Sequence, residues 1–254
     1  VKRDFIFEKP LGDFDMDKNL ICVGDSVTFS IKNTSNVGTY LWDFGDGSSV
    51  KDKSPVTHIY KTAPQGFQTL ILLSLESPNK CPNPLPLVTL NFQELAARFG
   101  LVDTTCLNVP VALTDTSVGA DVYRWTVSDG QTFSSAVVPP LLFRSAGQHS
   151  VELIIENNTI SCVDTLVRKI MVNPTPVISA RDTGYCEGDV VTLQSSGYLG
   201  LTYSWSPASL VDEPSKATSI ATPAESMDFT ILVTDSNKCT NTDVANIFIQ
   251  RSFD

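Results

Sequence analysis

The stretch Cys22-Val-Gly-Asp-Ser-Val-Thr-Phe29 decides the fold of this chain, because it returns as Cys186-Glu-Gly-Asp-Val-Val-Thr-Leu193 and, more weakly, as Cys106-Leu-Asn-Val-Pro-Val-Ala-Leu113. A tryptophan follows the three copies, in chain order, after 20, 19 and 19 residues, and a second cysteine follows after 59, 56 and 53 residues. Self-similarity at a nearly constant period indicates tandem copies of one unit. The 254-residue chain is therefore predicted to contain three small domains.

The repeat uses every cysteine and every tryptophan of the chain. The opening cysteines are Cys22, Cys106 and Cys186, the tryptophans are Trp42, Trp125 and Trp205, and the closing cysteines are Cys81, Cys162 and Cys239. Cysteines that recur in register favour disulfides over free buried thiols, and disulfides indicate an oxidising compartment. Tryptophans that recur in register are predicted to be core residues on a central strand of each unit.

Composition and charge exclude several classes of function. The formal net charge is -10 and the sequence pI is about 4.6, so we expect no basic patch for nucleic acid. No apolar run approaches the roughly 20 residues that span a bilayer, so we expect no membrane insertion. Only 18% of the residues are charged, which is low for a cytoplasmic protein and favours an extracellular or cell-surface one.

Strand signals dominate the chain and predict an all-β fold. Segments 69–75, 150–155 and 228–234 read as strands that precede the closing cysteines, and 87–92, 166–172 and 244–249 read as strands that follow them. Each closing cysteine is thus predicted at a hairpin tip. Roughly seven short strands in each unit indicate a β-sandwich. We place the three domains at 1–93, 94–173 and 174–254, and Pro174 and Pro176 are expected to keep the second linker extended.

The first unit contains a sequence that links a strand to a tight turn, Tyr40-Leu-Trp-Asp-Phe-Gly-Asp-Gly47. Alternation along the strand places Trp42 and Phe44 on one face and Asp43 on the other. Gly45-Asp46-Gly47 is expected to form a turn with positive φ. With His58-Ile-Tyr60 downstream, these residues resemble the PKD (polycystic kidney disease) domain. The resemblance implies a sandwich in which this motif has a structural role.

The other two units depart from that motif. The second has Trp125-Thr-Val-Ser-Asp-Gly130, and the third has Tyr203-Ser-Trp-Ser-Pro207 without the Asp-Gly turn. They resemble a degenerate PKD domain and an Ig-like domain. Together with Cys-x-Gly-Asp and Thr-Asp-Ser-Asn-Lys-Cys, the units are similar to repeats of large surface adhesins and gliding-motility proteins of Bacteroidetes-type bacteria. That resemblance implies type IX secretion and an extended rod of three PKD/Ig-like sandwiches.

Residues capable of chemistry are few. The chain has two histidines, and His58, expected in a loop before a strand, is predicted to be structural, so we expect no enzyme. Asp13, Asp15 and Asp17 have the alternate spacing of a calcium loop and form the one candidate metal site. Lys18 stands where such a loop needs glycine, so a solvated edge strand is the alternative reading. No cofactor other than calcium is expected.

The disulfide connectivity has two alternatives. An immunoglobulin-type topology places the opening cysteine before strand B and the closing cysteine at the F–G hairpin, at opposite poles. A strand of about ten residues, roughly 33 Å, separates those poles, whereas a disulfide needs Cα atoms within about 7 Å. Interdomain bridges would then join Cys22 to Cys162 and Cys106 to Cys239, and would leave Cys81 and Cys186 for other units. Intradomain bridges would join Cys22–Cys81, Cys106–Cys162 and Cys186–Cys239.

These expectations favour a non-catalytic structural or adhesive repeat region of a large secreted protein, acting as a stiff spacer. Its expected partners are neighbouring repeats of the same long chain, and a protein or surface glycan is the candidate ligand. Two alternatives stay open at this point. One is a carbohydrate-binding accessory region of a secreted hydrolase, which exposed coplanar aromatic rings would support. The other is a component of a secretion or motility machine that binds one defined protein.

Overall fold

A computed structural model describes residues 8–197 and 199–250 of the chain. Within those ranges all the regular secondary structure is β-strand, apart from a single-turn 3-10 helix at Ala208–Leu210. The strands form two sheets in each of three consecutive units, so the predicted all-β architecture of tandem sandwiches is confirmed.

The first unit contains nine strands in two sheets. They are β1 (Leu11–Met16), β2 (Leu20–Ile21), β3 (Ser26–Ser35), β4 (Thr39–Asp43), β5 (Ser49–Lys51), β6 (Val56–Ile59), β7 (Gln68–Glu76), β8 (Pro82–Pro84) and β9 (Val88–Phe92). One sheet has the order β1-β3-β6, and the other has the order β2-β9-β7-β4-β5 with β8 paired to β7.

The second and third units contain seven strands each. Those of the second are β10 (Phe99–Gly100), β11 (Thr104–Cys106), β12 (Thr114–Asp115), β13 (Val122–Val127), β14 (Thr132–Phe133), β15 (Gly147–Asn157) and β16 (Cys162–Asn173). Those of the third are β17 (Ser179–Ala180), β18 (Thr183–Cys186), β19 (Val191–Ser196), β20 (Thr202–Ser206), β21 (Thr218–Ala221), β22 (Met227–Thr234) and β23 (Thr240–Gln250). Their larger sheets run β11-β16-β15-β13-β14 and β18-β23-β22-β20, and their smaller sheets run β10-β12 and β17-β19-β21.

One pairing recurs in all three units and positions the opening cysteine. A short strand runs parallel to the last strand of the unit in the pairs β2–β9, β11–β16 and β18–β23. Through this register Cys106 lies opposite Asn173 and Cys186 lies opposite Gln250. In the first unit the residue before Cys22 pairs with Phe92. Each opening cysteine therefore stands beside the residue at which the last strand of its unit ends.

Each unit has its own hydrophobic core between its two sheets. Three separate clusters of buried side chains occur among the described residues, and each contains one tryptophan. Trp42, Trp125 and Trp205 are 0%, 1% and 1% exposed, as predicted for core residues. All three indole N–H groups donate to a backbone carbonyl 10 or 11 residues downstream, at 3.1, 3.0 and 2.9 Å in chain order. Burial and a satisfied donor fix the orientation of the ring.

We expect Trp42→Ala to unfold the first unit and to leave the third folded. Trp42 packs edge-on against Phe14 at 5.3 Å, and its removal leaves a cavity in a thin core. Deleting a buried aromatic side chain costs roughly 3–5 kcal/mol, a large part of a small domain's stability. Hydrogen-exchange mass spectrometry should show protection lost in β4 and β7 and kept in β22. Leu41→Ala is the matched control, because the neighbouring Leu41 side chain is 43% exposed.

Candidate functional site at the domain junctions

The opening cysteine of the first unit lies in a turn fixed by an aspartate three residues later. The Cys22 N–H donates to Asp25 Oδ2 at 3.1 Å, the Asp25 N–H donates to the Cys22 carbonyl at 3.2 Å, and Gly24 has a φ of 92°. The third unit repeats this turn at 3.1 and 3.1 Å with a φ of 90°, through Cys186, Asp189 and Gly188. The Cys-x-Gly-Asp sequence therefore encodes one local structure twice.

The closing cysteines share a second local structure at the tip of a hairpin. The residue before each has a left-handed backbone, with φ values of 66°, 58° and 68° at Lys80, Ser161 and Lys238. The carbonyl groups of Cys81 and Cys239 accept hydrogen bonds from Ser77 N and Asp235 N at 3.0 and 2.9 Å. A non-glycine residue in this conformation is uncommon, so its recurrence at the same position indicates that the three hairpins share one turn structure.

Two disulfides join neighbouring units. Cys22 is bonded to Cys162 with a Cα–Cα distance of 5.6 Å, and Cys106 is bonded to Cys239 with a distance of 5.5 Å. These are the bridges of the interdomain alternative, and the structure contains none of the intradomain pairs. The closing cysteines in these bridges are 3% and 0% exposed. Each bridge thus fixes the hairpin of one unit against the exit end of the preceding unit.

The residue two positions after each closing cysteine holds the segment that enters its unit. Asn83 Nδ2 donates to the carbonyl of Pro10 at 2.8 Å, and Asn241 Nδ2 donates to the carbonyl of Pro176 at 2.9 Å. In the second unit the side chain is the acceptor and the backbone is the donor, because Asp164 Oδ2 accepts a hydrogen bond from the Ala97 N–H at 2.8 Å. The recurrence of Cys-x-Asn/Asp in all three copies is the sequence signal from which this role could have been predicted.

The first junction has a further close contact between linker and loop. Gly119 has a φ of 76°, and a Cβ atom at this position would lie 1.9 Å from the carbonyl oxygen of Glu94. The Gly119 carbonyl accepts a hydrogen bond from Asn157 Nδ2 at 2.9 Å. The linker, this loop and the hairpin that contains Cys162 therefore contact one another. Glycine is required here because a side chain would separate them.

The PKD-type turn of the first unit has the predicted structure. Trp42 and Phe44 are buried and Asp43 is exposed, and Gly45 and Gly47 have φ values of 73° and 89°. Asp43 Oδ1 accepts the Gly45 N–H at 2.9 Å. A Cβ on Gly45 would lie 2.2 Å from the hydroxyl oxygen of Thr69, so the turn packs directly on the neighbouring strand.

Asp46 connects this turn to a histidine. His58 lies within β6 and not in a loop before a strand, so that sequence prediction is wrong; its ring stacks on Phe44 with the ring centroids 4.3 Å apart. His58 Nε2 is 2.7 Å from Asp46 Oδ2 and 3.3 Å from Ser48 Oγ. Both contacts use the same ring nitrogen, whereas a catalytic relay needs one partner on each nitrogen. The cluster therefore ties the turn to β6.

The pKa of Asp46 is lowered below its ordinary value of 3.8. Burial acts in the raising direction, and the hydrogen bonds from Ser48 and His58, together with the nearby imidazole, outweigh it. Interactions that favour the charged form of a carboxylate stabilise the fold only while that form is present.

The candidate calcium residues do not converge. Asp13, Asp15 and Asp17 alternate along an exposed edge, as the solvated-strand alternative expects. Asp15 pairs with Lys32, Asp17 Oδ1 accepts the Thr28 N–H at 2.8 Å, and Asp13 accepts the adjacent backbone N–H. Over residues 8–197 and 199–250, no three carboxylate, thiol or imidazole groups are placed to hold a metal ion. That same part of the chain contains no helix long and apolar enough to cross a membrane.

Comparisons with known proteins give one family match and several distant structural similarities. Residues 8–69 match the PKD domain model. An I-band fragment of titin is 12% identical with a TM-score of 0.35, and covers 96% of this chain and 100% of that one. Three N-terminal domains of the Hoc outer capsid protein of bacteriophage RB49 are 12% identical with a TM-score of 0.36, and cover 95% and 99%. TM-scores this low carry no argument about the fold or the function of this chain. No curated protein sequence matches the chain.

Non-reducing peptide mapping should recover two bridged peptide pairs, one with Cys22 and Cys162 and one with Cys106 and Cys239. Alkylation before digestion should label Cys81 and Cys186, because the structure leaves both thiols unbonded. A peptide that joins Cys22 to Cys81 would contradict the interdomain connectivity, since their sulfurs would have to meet across the length of one sandwich.

Asp46→Asn should weaken the pH dependence of the first unit's stability. The folded pKa lies below the unfolded one, so the stabilisation is fully present above pH 3.8 and is lost as the pH falls through the folded value. Between about pH 5 and about pH 2, the free energy of unfolding of the wild type should fall further than that of the variant. Urea unfolding followed by hydrogen exchange of β4 and β6 measures this. Asp228→Asn, an exposed change in the third unit, is the control and should keep the wild-type slope.

Proposed function

We propose that this chain is a non-catalytic spacer region of a secreted or cell-surface protein, and that its work is to hold neighbouring parts of that protein apart at fixed orientations. The observation that carries the proposal is the covalent bridge at each of the two junctions. Tandem domains joined by flexible linkers move relative to one another by default. At each junction, the disulfide and the hydrogen bond that holds the entering segment restrict that motion. At the first junction, a close backbone contact restricts it further.

Compartment and fold support this role. PKD-like and Ig-like domains and disulfides are typical of extracellular proteins, and a disulfide persists in an oxidising compartment. The proposal also includes export by the type IX route, an adhesive ligand and a source in Bacteroidetes-type bacteria. Only the sequence resemblance supports these three points.

A carbohydrate-binding surface has less support. The rings best suited to stacking on sugars, those of the three tryptophans, are buried in the cores. Tyr123 packs against the second core and Tyr203 against the third. Tyr198, a further tyrosine near a loop of the third unit, lies outside the described residues. No specific observation favours the other alternative, a component of a secretion or motility machine that binds one defined protein.

Small-angle X-ray scattering tests the spacer role. We expect an extended monomer with a maximum dimension on the order of 100–130 Å, if each sandwich is about 12 strand residues long. Replacing all six cysteines with serine should broaden the distance distribution and leave each unit folded, because every unit keeps its own core.

The matched control is Cys81→Ser/Cys186→Ser, which removes both unbonded thiols and keeps both bridges. Its scattering should match that of the wild-type monomer. A compact particle of the same mass would contradict the spacer proposal. Equal distance distributions for the control and the six-serine variant would show that the bridges do not stiffen the junctions.

A further inference from the structure

Two cysteines in the described part of the chain are unbonded, and each occupies a position that forms a bridge elsewhere in the same molecule. Cys186 is the opening cysteine of the third unit, and Cys81 is the closing cysteine of the first. We propose that Cys186 of one chain forms a disulfide with Cys81 of a second copy, so that copies join head to tail. The proposal extends the spacer function from one chain to a linear assembly.

The two internal junctions supply the template for this contact. In both, the opening cysteine of one unit meets the closing cysteine of the following unit, at Cα–Cα distances of 5.6 and 5.5 Å. The third unit followed by the first unit of another copy would apply the same rule again. Such a contact joins different surfaces of two identical chains, and repeated contacts of this kind produce an open filament when the rotation does not close a ring.

Both unbonded cysteines already have the backbone of their bridged counterparts. The turn at Cys186 matches that at Cys22, including the 3.1 Å bond to an aspartate and the left-handed glycine. The hairpin at Cys81 matches that at Cys239, since a side chain accepts the cysteine N–H at 3.1 and 2.9 Å respectively. The entry segment of the first unit is also held as in the third, by Asn83. Neither end needs to refold before it can form the bridge.

The surface around the Cys186 thiol leaves room for a partner. Cys186 is exposed in a shallow cleft whose lining includes Glu187, Val190 and Ile220. Val190 and Ile220 are 64% and 44% exposed, so apolar surface is available for a partner. The residue after Cys186 is acidic, and the residue before Cys81 is Lys80, whose ammonium group already pairs with Glu76 at 2.8 Å. The preference for unlike ends therefore comes from the two internal bridges, each of which joins an opening cysteine to a closing one.

Bond formation needs an oxidant, for which we name a small-molecule disulfide such as oxidised glutathione. The Cys186 thiolate attacks one glutathione sulfur, which forms a mixed disulfide and releases one glutathione thiolate. The Cys81 thiolate of the second copy then attacks the protein sulfur of that mixed disulfide and releases the other. Two protein thiols are oxidised to one disulfide, one glutathione disulfide is reduced to two thiols, and the two protons pass to the released thiolates.

The test compares four samples of the full chain: wild type, Cys81→Ser, Cys186→Ser and an equal mixture of the two variants. Each sample is incubated in a glutathione redox buffer, and its products are separated on a non-reducing gel. Wild type should give a ladder at multiples of 27.6 kDa. Each variant alone should give monomer, and the mixture should give monomer and dimer with nothing larger. Peptide mapping of that dimer should recover Cys81 joined to Cys186, with both internal bridges intact.

Other patterns overturn the proposal. Dimers from Cys81→Ser alone would show that Cys186 pairs with itself, and dimers from Cys186→Ser alone would show the same for Cys81. A monomeric mixture would show that the two ends do not recognise each other. Scattering from the Cys81→Ser/Cys186→Ser monomer tests the spacer role separately, so a failed assembly does not decide the shape of the single chain.

Discussion

The length of the last strand in each unit is the constraint that decides which cysteines can form disulfides. In the second unit Cys162 begins β16 and Cys106 lies opposite Asn173 at the other end of that strand. Eleven steps at about 3.3 Å separate the two positions by roughly 36 Å, several times the reach of a disulfide. The two cysteines of one unit therefore cannot meet. In a tandem chain the opening cysteine can reach the hairpin of the next unit, because it stands where the last strand of its own unit ends.

This arrangement separates the stability of the units from the stiffness of the chain. Each core is built from the residues of one unit, so hydrophobic burial stabilises the units independently. The bridges join the hairpin of one unit to the end of the preceding unit and therefore act on the angles between units. Asp164 and Asn241 act at the same two junctions, since each ties an entering segment to a bridged hairpin, and Asn83 makes the corresponding hydrogen bond beside the unbonded Cys81. Covalent and hydrogen-bonded restraints are thus concentrated at the ends of the sandwiches.

Much of the fold could be predicted because the repeated sequence supplies its own comparison. Three aligned copies predict that Trp42 and its counterparts belong to the core, and the motif of the first unit predicts the turn at Gly45 and Gly47. The opposite poles of an immunoglobulin-type topology were enough to raise the interdomain bridges as an alternative. The choice between the alternatives required the structure, because sequence order favours pairing within a unit.

The remaining features depend on contacts between distant segments. The need for glycine at position 119 arises from the Glu94 carbonyl, which only the folded junction brings near. The left-handed backbone at Lys80 and Ser161 has no sequence signature of its own, since glycine is the residue expected there. His58 was misplaced because a short edge strand such as β6 has little alternation to detect. Asp13, Asp15 and Asp17 have the spacing of a calcium loop, but the first two lie along the extended strand β1, which holds alternate side chains apart, and the third lies just after its end.

The departures of the second and third units from the PKD motif show which of its parts the fold requires. Asp129-Gly130 keeps a glycine turn with a φ of 97°, whereas the third unit replaces that turn with the 3-10 helix at Ala208–Leu210. The indole hydrogen bond survives both changes. A surface turn can change because water satisfies its polar groups, but a buried indole N–H without an acceptor would destabilise the core. The tryptophan and the carbonyl 10 or 11 residues after it are therefore the part of the motif that specifies this sandwich, and the glycines specify one way of making the turn between them.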